Sequence, residues 1–188
     1  MPESTLLILD AESDCSFAQA AGLNHDDKLD RMRATLVCAL EVCGNQETKH
    51  HFWCDDEDGF GPLLTLMDVA DVIITYNGAA FDMPLLRKHY STSSRYYAHR
   101  FKHLDLFSRL RDATGIWVSL SKLATANGLQ PKTSNGLQAI DWWHAGKRDD
   151  LLAYCHDDVK ILAILVRRIT LTVPNVGEVP HCVWKWVV

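Results

Sequence analysis

Apolar and polar positions fall into blocks that change period along the chain. Residues 5–9 form a short run of apolar and β-branched side chains that stops at Asp10, the pattern of a strand buried on both faces with a polar residue at its carboxyl end. Residues 14–32 are polar and mixed and predict a loop or short helix. Residues 33–42 (RATLVCALEV) predict a second strand, Gly44-Asn45 a turn, and residues 48–54 (TKHHFWC) a third strand, so 33–54 reads as a hairpin. An acidic loop at residues 55–58 (DDED) precedes a short helix over 63–69 and a buried strand over 72–76 (VIITY). Asn77-Gly78 breaks that strand. A helix is predicted over 79–90, with Phe81, Leu85 and Leu86 as its apolar positions.

The second half is less regular. Residues 91–103 show no clear period, and order resumes over 104–110. Residues 120–127 predict a helix stopped by Gly128, 130–149 a polar loop holding Trp142 and Trp143, and 150–171 a long amphipathic helix. The tail 179–188 predicts a last edge strand. The order β-β-β-α-β-α followed by helices implies an α/β fold with a mixed sheet flanked by α-helices. At 188 residues the chain is expected to form a single domain.

Composition narrows the function classes. With 47% hydrophobic and 23% charged residues the chain has enough apolar material for its own core. The net charge of −5 argues against a protein that coats nucleic acid through basicity alone. It leaves room for an acidic site that takes up divalent cations. Six cysteines without a C-x-x-C pair imply free thiols in a reducing compartment. No run approaches the ~20 apolar residues of a membrane span, and the N-terminus lacks a basic leader. A cytoplasmic, or host-cell cytoplasmic or nuclear, protein that is not secreted is expected.

Three short segments carry the candidate chemistry. In Asp10-Ala11-Glu12 the acids are two residues apart on a strand, so they share a face at about 7 Å. Such a pair can bracket a hard cation. In Asn77-Gly78-Ala79-Ala80-Phe81-Asp82 a strand runs into a turn, and an Asp follows in the first turn of a helix. Tyr154 and Asp158 are four apart on the long helix and point the same way, about 5–6 Å apart at Cβ. A phenol beside a carboxylate on an apolar helix face is costly to bury unless each has partners. Each segment alone is common.

Taken together and in this order, LILDAES, TYNGAAFDMPLL and AYCHDDVKIL resemble the DEDDy branch of the DnaQ-like 3′→5′ exonucleases, which have an RNase H-like fold. The stretches His103-Leu104-Asp105-Leu106 and Ser119-Leu120-Ser121-Lys122-Leu123-Ala124 look like that family's middle region. Ser13 stands where the family usually has Thr. Ala153 stands where the histidine branch would need His, so the tyrosine branch fits. The resemblance implies that Asp10, Glu12, Asp82 and Asp158 hold two divalent cations, Mg²⁺ or Mn²⁺, and that Tyr154 orients the attacking water. It implies single-stranded DNA or RNA 3′ ends as substrate, with DNA slightly favoured, and a repair, replication or RNA-trimming setting. The competing expectation is a catalytically silent nucleic-acid-binding scaffold on the same fold.

Residues 87–103 interleave bases with tyrosines, a combination suited to phosphate contact and base stacking. Arg87, Arg95, Arg100 and Lys102 are therefore candidate nucleic-acid contacts, and Asn77 and Phe81, in the segment that leads to Asp82, are candidates with them.

Overall fold

The computed structural model describes residues 4–20, 22, 24–130 and 136–180. In chain order the elements are β1 (Thr5–Ser13), α1 (His25–Arg31), β2 (Ala34–Cys43), β3 (Gln46–Trp53), α2 (Gly61–Val69), β4 (Val72–Thr75), α3 (Asp82–Leu86), α4 (Ser93–Phe101), β5 (His103–Asp105), α5 (Leu106–Thr114), α6 (Leu120–Ala126), α7 (Gly136–His144), α8 (Arg148–Val166), β6 (Thr170–Val173) and β7 (Gly177–Pro180). The first five strands form one sheet in the order β3-β2-β1-β4-β5. The hairpin β2–β3 runs antiparallel to β1, while β4 and β5 run parallel to it, so the sheet is mixed as the block order predicts.

The two-residue period of β1 sorts its side chains onto two cores. Leu7, Leu9 and Ala11 face the layer containing α2 and α3, with Leu63, Met67, Met83 and Leu85. Ile8 faces the layer containing α8, with Leu151, Cys155, Val159 and Leu162. Asp10 and Glu12 continue the Ile8 face. Each large apolar side chain buried in these layers is worth about 1.5–3 kcal/mol. That packing presses α8 across β1 and β2.

Strand β4 is shorter than its neighbour. Its pairing with β1 stops at Ile8↔Ile74, so residues 10–13 of β1 extend beyond it at the carboxyl end of the parallel pair. The opening beside that free edge is where the turn after β4 is placed.

Several predicted boundaries differ from the structure. The helix expected over 79–90 is only α3, followed by a single 3-10 turn over Arg87–His89. Asn77, with φ 67°, holds the preceding residues in a tight turn instead. Residues 91–103 contain a helix, α4, whose N-terminus is capped by the Thr92 hydroxyl accepting from the Arg95 N–H. The loop expected over 130–149 contains α7, which buries Ala139 and Ile140; residues 131–135 lie outside the described residues. The long helix ends at Val166 rather than 171. Beyond it the alternation Thr170-Leu171-Thr172-Val173 makes β6, which pairs with β7. Asn127 locks β6 in place, receiving the Thr172 N–H at 3.0 Å and donating to the Thr172 carbonyl at 2.9 Å. The tail strand expected over 179–188 begins earlier, as β7 (Gly177–Pro180), and 181–188 lie outside the described residues. Among the described residues no helix is long and apolar enough to cross a membrane.

Candidate active site

The free edge of β1 needs a partner for its backbone. Where β4 has ended, the Ala11 N–H is satisfied by the Asp82 carboxylate at 2.7 Å. One short bond therefore ties the start of α3 to the middle of the Asp10-Ala11-Glu12 segment. It fixes Asp82 beside the two strand carboxylates across 71 residues of sequence. The third contributor is α8, whose buried face carries Cys155, Asp158 and Val159. The Cys155 thiol points at the Asp10 carbonyl at 3.5 Å. Ligand atoms of Asp10, Glu12 and Cys155 lie within 4.8 Å of one another.

The electrostatics record the same convergence. Burial pushes the Asp82 carboxyl up to about 7; the Ala11 N–H opposes this, and Asp105 and Asp158 add to it. Burial also drives the Tyr154 phenol upward, reinforced by Asp158, then Glu12, then Asp10. Tyr154 thus keeps its proton, with its ring edge-on to Trp142 at 5.9 Å. The Cys155 thiol is raised by burial first, then by Cys38, Asp10 and Glu12. A protonated thiol is a poor metal ligand. The remaining oxygen donors suit a hard divalent cation such as Mg²⁺ or Mn²⁺.

The turn that delivers Asp82 is built around a residue with no predicted role in the site. Asp105, buried at the end of β5, accepts from the Asn77 N–H at 2.7 Å and the Ala79 N–H at 3.2 Å. It also caps α5 through the Phe107 N–H at 3.1 Å and takes the Ser108 hydroxyl at 2.9 Å. Gly78 sits so close to Thr75 that a Cβ would lie 2.3 Å from the Thr75 hydroxyl oxygen, so only glycine fits there. The Asp105-Leu106 pair was legible as part of a motif. Its bonding was not, because one carboxylate serving two backbone segments leaves no periodic trace.

The other predicted residues divide. Phe81 lines a cavity of about 410 Å³ that runs alongside Glu12, Ser13, Cys15, Phe17 and Ile140. Asn77 is exposed on the turn, and Arg100 donates to the Ala79 carbonyl there at 3.2 Å. The remaining three sit on the flank formed by α2 and α4. Arg95 pairs with Asp68 at 2.6 Å, Lys102 donates to the Asp68 and Ala70 carbonyls at 2.8 and 2.6 Å, and Arg87 lies over the Tyr96 ring.

A mixed sheet whose central strand ends in two acids, with further acids supplied by a turn and a crossing helix, defines an RNase H-like domain. A family model described as RNase_H superfamily matches residues 22–170, and the chain belongs to that superfamily. Membership points to nuclease-type hydrolysis of nucleic acid, a reaction for which such enzymes usually employ divalent metals. The match begins after β1, so Asp10 and Glu12 lie outside it. No curated protein matches the chain.

Proposed function

We propose that the chain is a metal-dependent 3′→5′ exonuclease that trims single-stranded nucleic acid, DNA slightly in preference to RNA, to nucleoside 5′-monophosphates. The observation that supports this reading most is geometric: the Asp82 carboxylate takes the Ala11 N–H at 2.7 Å, between Asp10 and Glu12, whose ligand atoms lie within 4.8 Å of each other and of Cys155 on the helix that carries Tyr154 and Asp158. The polarity and the preference for unpaired 3′ ends follow from the DEDDy resemblance of those segments.

Asp10, Glu12, Asp82 and Asp158 would hold two divalent cations, Mg²⁺ or Mn²⁺. When bound, these activate water and stabilise the charge that develops on the phosphate and the leaving oxygen. The protein's own groups do the positioning. Asp10 and Glu12 present carboxylates from one face of β1, which β2 alone pairs at that point. Asp82 is held by the Ala11 N–H, and Asp158 by the packing of α8. Tyr154, kept protonated, donates to the attacking water and leaves its lone pair directed at phosphorus. Water adds across the P–O3′ bond, releasing a 5′-phosphorylated nucleoside and leaving a new 3′-hydroxyl on the shortened strand. The apolar cavity beside Glu12, with Phe81 and Phe17 in its wall, receives the terminal nucleoside. Asn77 and Arg100 are the best placed of the candidate strand contacts, whereas Arg87, Arg95 and Lys102 hold α4 in place.

The test is digestion of 5′-labelled DNA and RNA oligonucleotides side by side with Mg²⁺ and with Mn²⁺. A ladder descending from the 3′ end is expected. Asp10→Ala should abolish it, and Tyr154→Phe should slow it about a hundredfold, the cost of a misplaced reactant. Cutting of a circular single strand would sink the exonuclease reading.

A further inference from the structure

We infer that a second nucleobase-binding subsite, built on Trp117, lies just beyond the Asn77 turn and grips the strand upstream of the bond being cut. The inference rests on the nuclease reading of the carboxylate cluster, and it concerns a separate part of the surface. A cavity of about 400 Å³ is lined by Tyr76, Asn77, Phe107, Trp117, Val118 and Leu120. It shares no lining residue with the cavity beside Glu12.

Trp117 is 73% exposed, an unusual place for the largest apolar side chain. It is nonetheless held. Its ring meets Phe107 edge-on at 5.2 Å, and the Arg111 guanidinium lies 5.3 Å from its centroid and 5.8 Å from that of Phe107. Next to it the Tyr76 hydroxyl donates to the Val118 carbonyl at 2.6 Å, pinning the loop to the end of β4. An indole fixed by its neighbours and left open to solvent is a ready stacking surface, because little ordering entropy remains to be lost on binding. A cation beside the aromatic surface adds attraction for a phosphodiester chain. Arg111 remains available for this, since its contact with Asp112 at 3.3 Å is an exposed pair of little strength. Aromatic faces combined with arginine are what single-stranded nucleic acid exploits, through stacking that tolerates any base.

The platform and the carboxylates share one anchor. Asp105 holds the Asn77 and Ala79 N–H groups of the turn leading to Asp82, and through the Phe107 N–H it also caps the helix that carries Phe107 and Arg111. A strand whose last two residues occupy the carboxylate site and the Asn77 turn would place a base further upstream on Trp117. That continuity assigns the open indole to an upstream base of the same substrate.

The experiment measures binding in Ca²⁺ of labelled oligonucleotides of two and six residues, in DNA and RNA forms, to the wild type, Trp117→Ala and Trp117→Phe. Removing one base–aromatic stack should weaken hexamer binding about tenfold. The dimer should change less than about twofold, and Trp117→Phe should retain most of the affinity. Whichever hexamer, DNA or RNA, loses more identifies the strand the platform favours. Hexamer affinity unmoved by Trp117→Ala would overturn the subsite and leave the indole to a protein partner or a second copy of the chain. Equal losses for dimer and hexamer would also overturn it, by showing damage at the carboxylate end. Hydrolysis of the p-nitrophenyl ester of thymidine 5′-monophosphate is the separate control: its absence in the wild type tells against the nuclease reading, whereas the binding comparison judges the subsite alone.

Discussion

Two polar clusters of this molecule are built on opposite principles. On the flank between α2 and α4, the Asp68 carboxylate is surrounded by donors: Arg95 Nε at 3.1 Å, Arg95 Nη2 at 2.6 Å and His99 Nε2 at 2.7 Å. His99 is almost fully buried, and its Nδ1 meets the Tyr90 hydroxyl at 2.8 Å. The Arg95 hydrogen bond holds Asp68 below the ordinary carboxylate value, against the desolvation that opposes it. Where β1, α3 and α8 meet, burial and neighbouring acids push Asp82 in the other direction. The first arrangement gathers charges that satisfy one another and serves folding. The second gathers groups that resist each other's ionisation, which costs stability and is the pattern that the proposed nuclease site requires.

The contrast can be broken by exchanging the outcomes. Asp82→Asn keeps an oxygen for the Ala11 N–H and removes the charge. Nucleolytic turnover should fall by roughly a thousandfold, about 4 kcal/mol of transition-state stabilisation. Thermal unfolding in EDTA should show a melting temperature equal to or above that of the wild type. A clear loss of stability in EDTA would mean that Asp82 is a structural anchor only. Asp68→Ala should do the reverse. It leaves a buried imidazole and an arginine without their acceptor, a loss of about 2–3 kcal/mol. For a chain of this size that lowers the melting temperature by roughly 5–10 °C. Turnover at a temperature where both proteins are folded should change less than about twofold, and a larger drop would place the flank inside the catalytic machinery.

The two clusters were also unequally legible in the sequence. The acids of the candidate site lie in short motifs whose order along the chain is itself a signal. The strand alternation of Asp10 and Glu12 and the four-residue step of Tyr154 and Asp158 convert directly into shared faces. The Asp68 cluster had no such trace. Arg95 and Lys102 read as bases in an aperiodic segment because only the packing of α4 on α2 reveals their partners. The missed helices have the same cause. Thr92 as an N-cap, with Tyr96 and His99 one turn apart, is a weak pattern among polar residues, and α7 is held by contacts with α8 and β1 rather than by its own period. The overrun of the last helix arose because Thr170–Val173 continues an apolar sequence whose period changes from helical to alternating only when β7 supplies a partner.

His103 sharpens the comparison further, as a half-buried ionisable group on β5, next to the strand that leads to Asp82. Its Nε2 lies 2.8 Å from the Thr75 hydroxyl, which also receives the Gly78 N–H at 3.1 Å. The neutral imidazole and this hydroxyl thus share one hydrogen bond beside the turn. Burial pushes its pKa down to about 4, with Asp105 opposing and Arg100 assisting. Between the ordinary value near 6.5 and that depressed value, the unfolded chain takes up a proton that the folded chain refuses. Stability must therefore fall as pH drops through this window and level off below it, with about 2 kcal/mol lost by pH 5. His103→Gln can still hydrogen-bond to the Thr75 hydroxyl but cannot titrate. Urea titrations at pH 7 and pH 5 should show the wild type losing most of that amount and the variant losing little of it. Equal acid sensitivity in both proteins would shift the burden to other groups and leave the Thr75 bond as a packing contact without consequence for charge.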